Sequence, residues 1–146
     1  MNRREWIVGA GAVALASVAK AAPTGKEKPA AEHHHEAPAA GLVDAASDCH
    51  KKAELCLSHC IGMLSTGDTS MAACAARVRD TLASSEALLA LASSGSKHAK
   101  PLAKVCADIC RDCEAECRKH ADKMPVCKDC ADACAKMIQE VSKLPA

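Results

Sequence analysis

From about residue 42 onward, apolar positions recur at the spacing of a helix face, and no stretch alternates apolar and polar residues as a half-buried strand would. Four such stretches are separated by short breaks. The first is predicted over about 42–65, its inward stripe running Cys49, Ala53, Cys56, Cys60, Met63 and Leu64, with Gly67 just past its end. The second spans about 69–93, with Asp68, Thr69 or Ser70 available as cap. Its stripe is Cys74, Val78, Thr81, Ser85 and Leu88, and Ser94-Gly95 ends it. The third begins between His98 and Pro101, because proline is tolerated in a first turn. It runs to about Ala121, with Leu102, Cys106, Cys110, Cys113, Cys117 and His120 in line. The fourth opens at Pro125 and reaches about Lys143, presenting Cys127, Cys130, Cys134, Met137 or Ile138, and Val141. Helices of 20–25 residues are roughly 30–37 Å long, and short connections force neighbours antiparallel. The predicted fold is therefore all-α, an antiparallel up-down-up-down four-helix bundle with a cysteine-lined core.

That topology sorts residues by end. His59, Met63, Met71, His120 and Met124 gather at one end, above Cys60, Cys74, Cys117 and Cys127. Leu88, Leu89, Leu102 and Val141 form an apolar plug at the other. His50 and His98 are expected in solvent and Met137 in packing. Leu82, Leu89 and Leu91 are expected on the outer side of the second helix, where they favour self-association.

Composition sharpens the picture. The chain has 146 residues, one domain's worth, with no Phe or Tyr and a single Trp, Trp6, in the leader. Net charge is +1, which gives no reason to expect nucleic acid or an anionic membrane as partner. The N-terminus carries Arg3-Arg4, an apolar run to Val18, and Ala19-Lys20-Ala21. Residues 1–21 read as a twin-arginine (Tat) export signal, the apolar run being too short for a membrane span. A periplasmic location follows, with no membrane attachment after cleavage. Residues 22–41, rich in Ala, Pro, Lys, Glu and His, read as a disordered linker. It contains His33-His34-His35, a tract able to capture copper or zinc. The bundle domain then covers 42–146.

Eleven cysteines dominate the chemistry. An odd number cannot pair fully within one chain. Neighbours at i,i+4 hold their Cβ atoms roughly 5–6 Å apart, against about 3.8 Å in a disulfide. A stripe of thiols facing other such stripes makes a tube of sulfur, and thiolate with thioether selects Cu(I). One monovalent ion per thiolate leaves the interior neutral, where uncompensated buried charge is costly. The number held would be on the order of ten. Structural zinc calls for four convergent ligands with no spare thiols. Iron–sulfur ferredoxins use loop-borne runs followed by proline. Met and His at the open end bind Cu(I) more weakly than thiolate, so ions can pass inward. No phosphate loop, H-E-x-x-H or carboxylate pair suggests an enzyme. The C-x2-C pairs Cys110/Cys113 and Cys127/Cys130 keep a thiol redox protein as a rival, and a zinc-binding or disulfide-stabilised bundle is the other.

With the cysteine stripes of the first, third and fourth helices and His59-x3-Met63 followed by Met71 in view, the chain resembles the four-helix-bundle copper storage proteins (Csp), in particular the exported branch with a Tat leader. The resemblance covers roughly residues 42–144 and the leader. It implies a tetramer of bundles whose bores bind many Cu(I) ions, buffer copper and supply copper enzymes. His59, Met63 and Met71 would admit the ion, and all eleven cysteines, Cys49 to Cys134, would hold it. The second helix departs from the family pattern by keeping Cys74 alone, with Thr81, Ser85 and Leu88 farther along its inward face.

Overall fold

The structure is a computed structural model that describes residues 40–145. The predicted leader and most of the linker, His33–His35 included, lie outside the described residues. Four α-helices follow in order: α1 (Ala40–Ser65), α2 (Ala72–Ser93), α3 (Ala99–Arg118) and α4 (Pro125–Ser142), with a short 3-10 turn, Thr69–Met71, leading into α2. Each helix packs on its sequence neighbour, and α1 closes the ring against α4. Backbones of the diagonal pairs, α1 with α3 and α2 with α4, make no close approach among the described residues. A helix of 22 residues such as α2 is about 33 Å long. Connections of five or six residues cannot carry the chain back over that length, so successive helices run antiparallel.

The breaks have local causes. Gly67 and Gly95 both have positive φ, 86° and 65°. Each sits just past a helix end in a Schellman turn. Asp68 N donates to Met63 O (3.2 Å) and Gly67 N to Leu64 O (3.0 Å); Ser96 N donates to Leu91 O (2.9 Å) and Gly95 N to Ala92 O (3.1 Å). Asp68 is the residue that caps the next segment, accepting from Ser70 N at 2.9 Å. The third helix ends at Arg118, earlier than expected, and His120 stands in the following turn. Pro125 fixes the far end of the connection. It drives Met124 out of helical space, to φ −130° and ψ 97°, and itself starts α4. At the other boundary α1 takes in Ala40 and Gly41, two residues that the sequence reading gave to the linker.

The interior follows the stripes. All eleven cysteines are buried, together with Leu42, Met71, Val78, Leu88, Met137 and a set of alanines. The plug forms at the end away from Met71. Leu88 is fully buried there, and Leu89, Leu102 and Val141 pack against the core half-buried. The outer face of α2 differs from expectation. Leu82, Leu89 and Leu91 are half-buried against the core rather than exposed. Among the described residues the exposed large apolar side chains are Leu55 and Ile61 on α1 and Val105 on α3. The inward stripe itself is as expected, with Cys74, Val78, Thr81, Ser85 and Leu88 buried. The leucines flank that stripe and pack against the core at its edges. No helix among the described residues is long and apolar enough to cross a membrane.

Candidate metal centre

Every thiol predicted to line the core does so, and all are free. Sulfur contacts knit the helices together. Cys74 of α2 lies 3.6 Å from Cys117 of α3 and 4.0 Å from Cys56 of α1. Cys56 also lies 3.9 Å from Cys127 of α4. Cys113 meets Cys117 and Cys130 at 4.0 Å each. Cys49 reaches across the bore to Cys110 at 3.8 Å. Diagonal helices α1 and α3 thus touch through sulfur where their backbones do not. Four triads have their sulfur atoms within 4.8 Å of one another: Cys49–Cys110–Cys134, Cys56–Cys74–Cys127, Cys56–Cys117–Cys130 and Cys113–Cys130–Cys134. Shared members make these one continuous lattice from Cys49 to Cys127, with each metal position adjoining the next. Cys60 and Cys106 stand at its margins. Cys106 gives its S–H to the backbone carbonyl of Ser84, 3.3 Å away.

The two C-x2-C pairs behave as parts of this lattice. Cys110 meets Cys49, Cys113 meets Cys130, and Cys127 meets Cys56, all on other helices. Helical spacing explains this, since residues three apart both face the neighbouring stripe.

Proton sharing among the thiols sets their electrostatics. Cys117 and Cys134 act as donors. Cys117 is raised far above the ordinary thiol range by its bonds to Cys113, Cys130, Cys56 and Cys74, and Cys134 by its bonds to Cys110, Cys113, Cys130 and Cys49. The receiving sulfurs go the other way. Bonds from Cys134 and Cys49 hold Cys110 at about 5, while Cys113 is lowered by Cys117, Cys130 and Cys134, and Cys56 by Cys117, Cys130 and Cys74. Burial is the first cause that raises Cys60, Cys106 and Cys127. At Cys74 the bond from Cys117 pulls downward, but bonding to Cys56 together with burial leaves it at about 11. A soft cation entering this lattice replaces protons that burial would otherwise keep on sulfur.

At the Met71 end, one contact joins two predicted ligands. His59 Nε2 lies 3.3 Å from Met124 Sδ, linking α1 to the start of α4. Met71 is fully buried and Met63 half-buried against the core. His120 Nε2 is buried without a hydrogen-bond partner, and Glu116 Oε1 lies 3.9 Å from it. An orphaned ring nitrogen is costly in a closed interior, and a ligand would satisfy it.

His50 departs from expectation. It is partly buried, with Nδ1 3.3 Å from the Ser85 hydroxyl of α2 and Nε2 3.9 Å from Glu54. His98 is exposed, as its sequence context suggests. The His50–Ser85 contact and the Cys106–Ser84 contact were not legible in sequence. Both join different helices, so they depend on how α2 sits along α1 and α3, which spacing within one segment does not encode.

Comparison with curated proteins returns no match. The sequence model of a family described as copper storage protein, Csp, matches residues 33–146, most of the chain and all four helices. Its match falls on a bundle whose interior is a continuous lattice of buried thiols able to hold metal, and the chain belongs to the copper storage protein (Csp) family.

Proposed function

We propose that the protein stores copper as Cu(I), about one ion per thiolate, and does no catalysis. What carries this reading is the continuity of the sulfur lattice: eleven buried, free thiols, with contacts of 3.6–4.0 Å running between all four helices. Cu(I) suits it on three counts. It is soft, it accepts two or three sulfur ligands, and its single charge cancels that of one thiolate. Zinc would use four thiolates per ion and leave excess negative charge in an interior that resists it.

His59, Met63, Met71, His120 and Met124 are assigned to the mouth. Their imidazole and thioether groups are weaker Cu(I) ligands than thiolate, so an ion held there moves down a gradient of affinity toward Cys60, Cys74, Cys117 and Cys127. The His59–Met124 contact and the orphaned His120 nitrogen support the assignment. The paired arginines of the leader support export by the Tat route to the periplasm. Buffering of copper, its supply to copper enzymes and self-association belong to the same reading.

Titration of the fully reduced protein with Cu(I) against a strong Cu(I) chelator tests it. On the order of ten ions per chain should be withdrawn from the chelator, with helicity unchanged. Saturation at two or three ions would replace storage by a small zinc-type site.

A further inference from the structure

Two donors at the mouth stand near each other without bonding. His120 Nε2 is buried with no hydrogen-bond partner, and Glu116 Oε1 lies 3.9 Å from it. Both side chains are mostly covered, 19% and 17% exposed. Lys119 Nζ holds the other carboxylate oxygen of Glu116 at 2.5 Å, which fixes the carboxylate with Oε1 on the His120 side. A nitrogen and an oxygen at this separation are within the span of two donors on one ion at about 2 Å each. Such a donor set suits Cu(II), which takes nitrogen and oxygen, and serves Cu(I) poorly, which prefers sulfur. One turn before His120 stands Cys117. Its Sγ lies 3.6 Å from that of Cys74, nearer than the 3.8 Å between Cys49 and Cys110 or the 3.9 Å between Cys56 and Cys127. Cys74 in turn stands three residues beyond Met71. The nitrogen–oxygen pair and this dithiol therefore share one end of the bundle, with the dithiol bridging α2 and α3.

We propose that the mouth also takes copper as Cu(II) and reduces it: His120 and Glu116 hold the divalent ion, and Cys74 and Cys117 supply the electrons. Two Cu(II) ions each gain one electron. The two thiols each lose one electron and one proton, a single S–S bond joins them, and both protons leave to water. The Cu(I) produced is held poorly by imidazole and carboxylate and well by thiolate, so it passes inward. The triads Cys49–Cys110–Cys134 and Cys113–Cys130–Cys134 contain neither member of the dithiol and keep all their sulfur. The inference rests on the copper-storage reading and adds to it the entry of copper in its oxidised form.

Anaerobic addition of about two equivalents of Cu(II) chloride to the full reduced chain tests it. A sample frozen early should give an electron paramagnetic resonance signal with hyperfine coupling to an imidazole nitrogen. The signal should then vanish as Cu(I) accumulates, and alkylation with peptide mapping should find Cys74 joined to Cys117 and the remaining thiols free. His120→Ala should lose the nitrogen coupling, and Glu116→Gln should slow the loss of signal about tenfold. A signal that persists in the unaltered protein, a disulfide mapped elsewhere, or a folded Glu116→Gln variant that reduces Cu(II) as fast as the unaltered chain overturns the proposal. The first two readouts need no variant, so they decide even where a substitution prevents folding. If the same chain given Cu(I) withdraws only two or three ions from a chelator, the storage reading fails instead.

Discussion

A thiol is a small, weakly polar group that can be buried at little cost, whereas its thiolate resists burial unless charge or hydrogen bonds compensate it. Each cysteine of this bundle is buried as core filler, and the proposed function gives it the second role of ligand. The apolar residues around the thiols have the first role alone. Leu88 is fully buried at the plug end. Leu88→Ala should cost the metal-free protein about 2–5 kcal/mol in denaturant unfolding, with the number of Cu(I) ions bound by the folded protein unchanged. At the mouth the expected effect is kinetic. His59 and Met124 touch at 3.3 Å, a separation that lets both hold one ion, and the proposed function assigns them to the passage. Replacing both, His59→Ala with Met124→Leu, should alter the rate of copper uptake in stopped-flow mixing and leave the final content as it was. A lower final content would make them storage ligands rather than a passage.

Helix ends and helix faces are the next scale. The stripes of Cys, Ala, Leu and Met were readable because their period matches the turn of an α-helix, and the breaks were readable because Gly67, Gly95, Pro101 and Pro125 have narrow conformational roles. Gly95 takes φ 65° in a Schellman turn. Gly95→Ala should therefore lower stability by about 1 kcal/mol, measured by thermal unfolding without metal. On α2 the period gave the inward stripe, since Cys74, Val78, Thr81, Ser85 and Leu88 are all buried. It did not give the fate of the flanks: Leu82, Leu89 and Leu91 are half-buried, and Ser84 and Ser85 meet Cys106 and His50, because cover at a helix edge comes from the neighbouring helices. The early end of α3 could be read only in part. Pro125 restricts the residue before it, but the place where the preceding turn leaves the helix depends on how residues 119–124 span to α4.

For the molecule as a whole, the proton network predicts a pH dependence. Eight thiols have pKa values raised in the fold, and three, Cys56, Cys110 and Cys113, have values lowered. A raised thiol keeps its proton in the fold at a pH where the unfolded chain has lost it. Its contribution is complete below the unfolded value of about 8.5 and is lost as pH rises toward the folded value. A lowered thiol contributes above about 8.5, and that contribution is lost as pH falls toward the folded value, which for Cys110 is about 5. The metal-free midpoint of thermal unfolding should peak near pH 8.5 and fall more steeply on the alkaline side, where eight groups act against three. A midpoint still rising at pH 10 would contradict the proton sharing described above. Copper loading displaces the protons, so apparent affinity should drop as pH is lowered. Loading should also raise the unfolding temperature, because the ion binds a lattice that exists only in the fold.

The one-dimensional order of residues determined that there are four helices, that they run antiparallel, that thiols line their inner faces and that soft metal is their natural partner. Each of these depends on local period, turn chemistry or ligand softness, and such properties travel with short segments. Packing alone decided which sulfurs meet. That Cys49 crosses the bore to Cys110 and that Cys74 finds Cys117 depend on the axial offset and rotation of one helix against another. Those are set by the summed contacts of all four helices, and no single segment carries them.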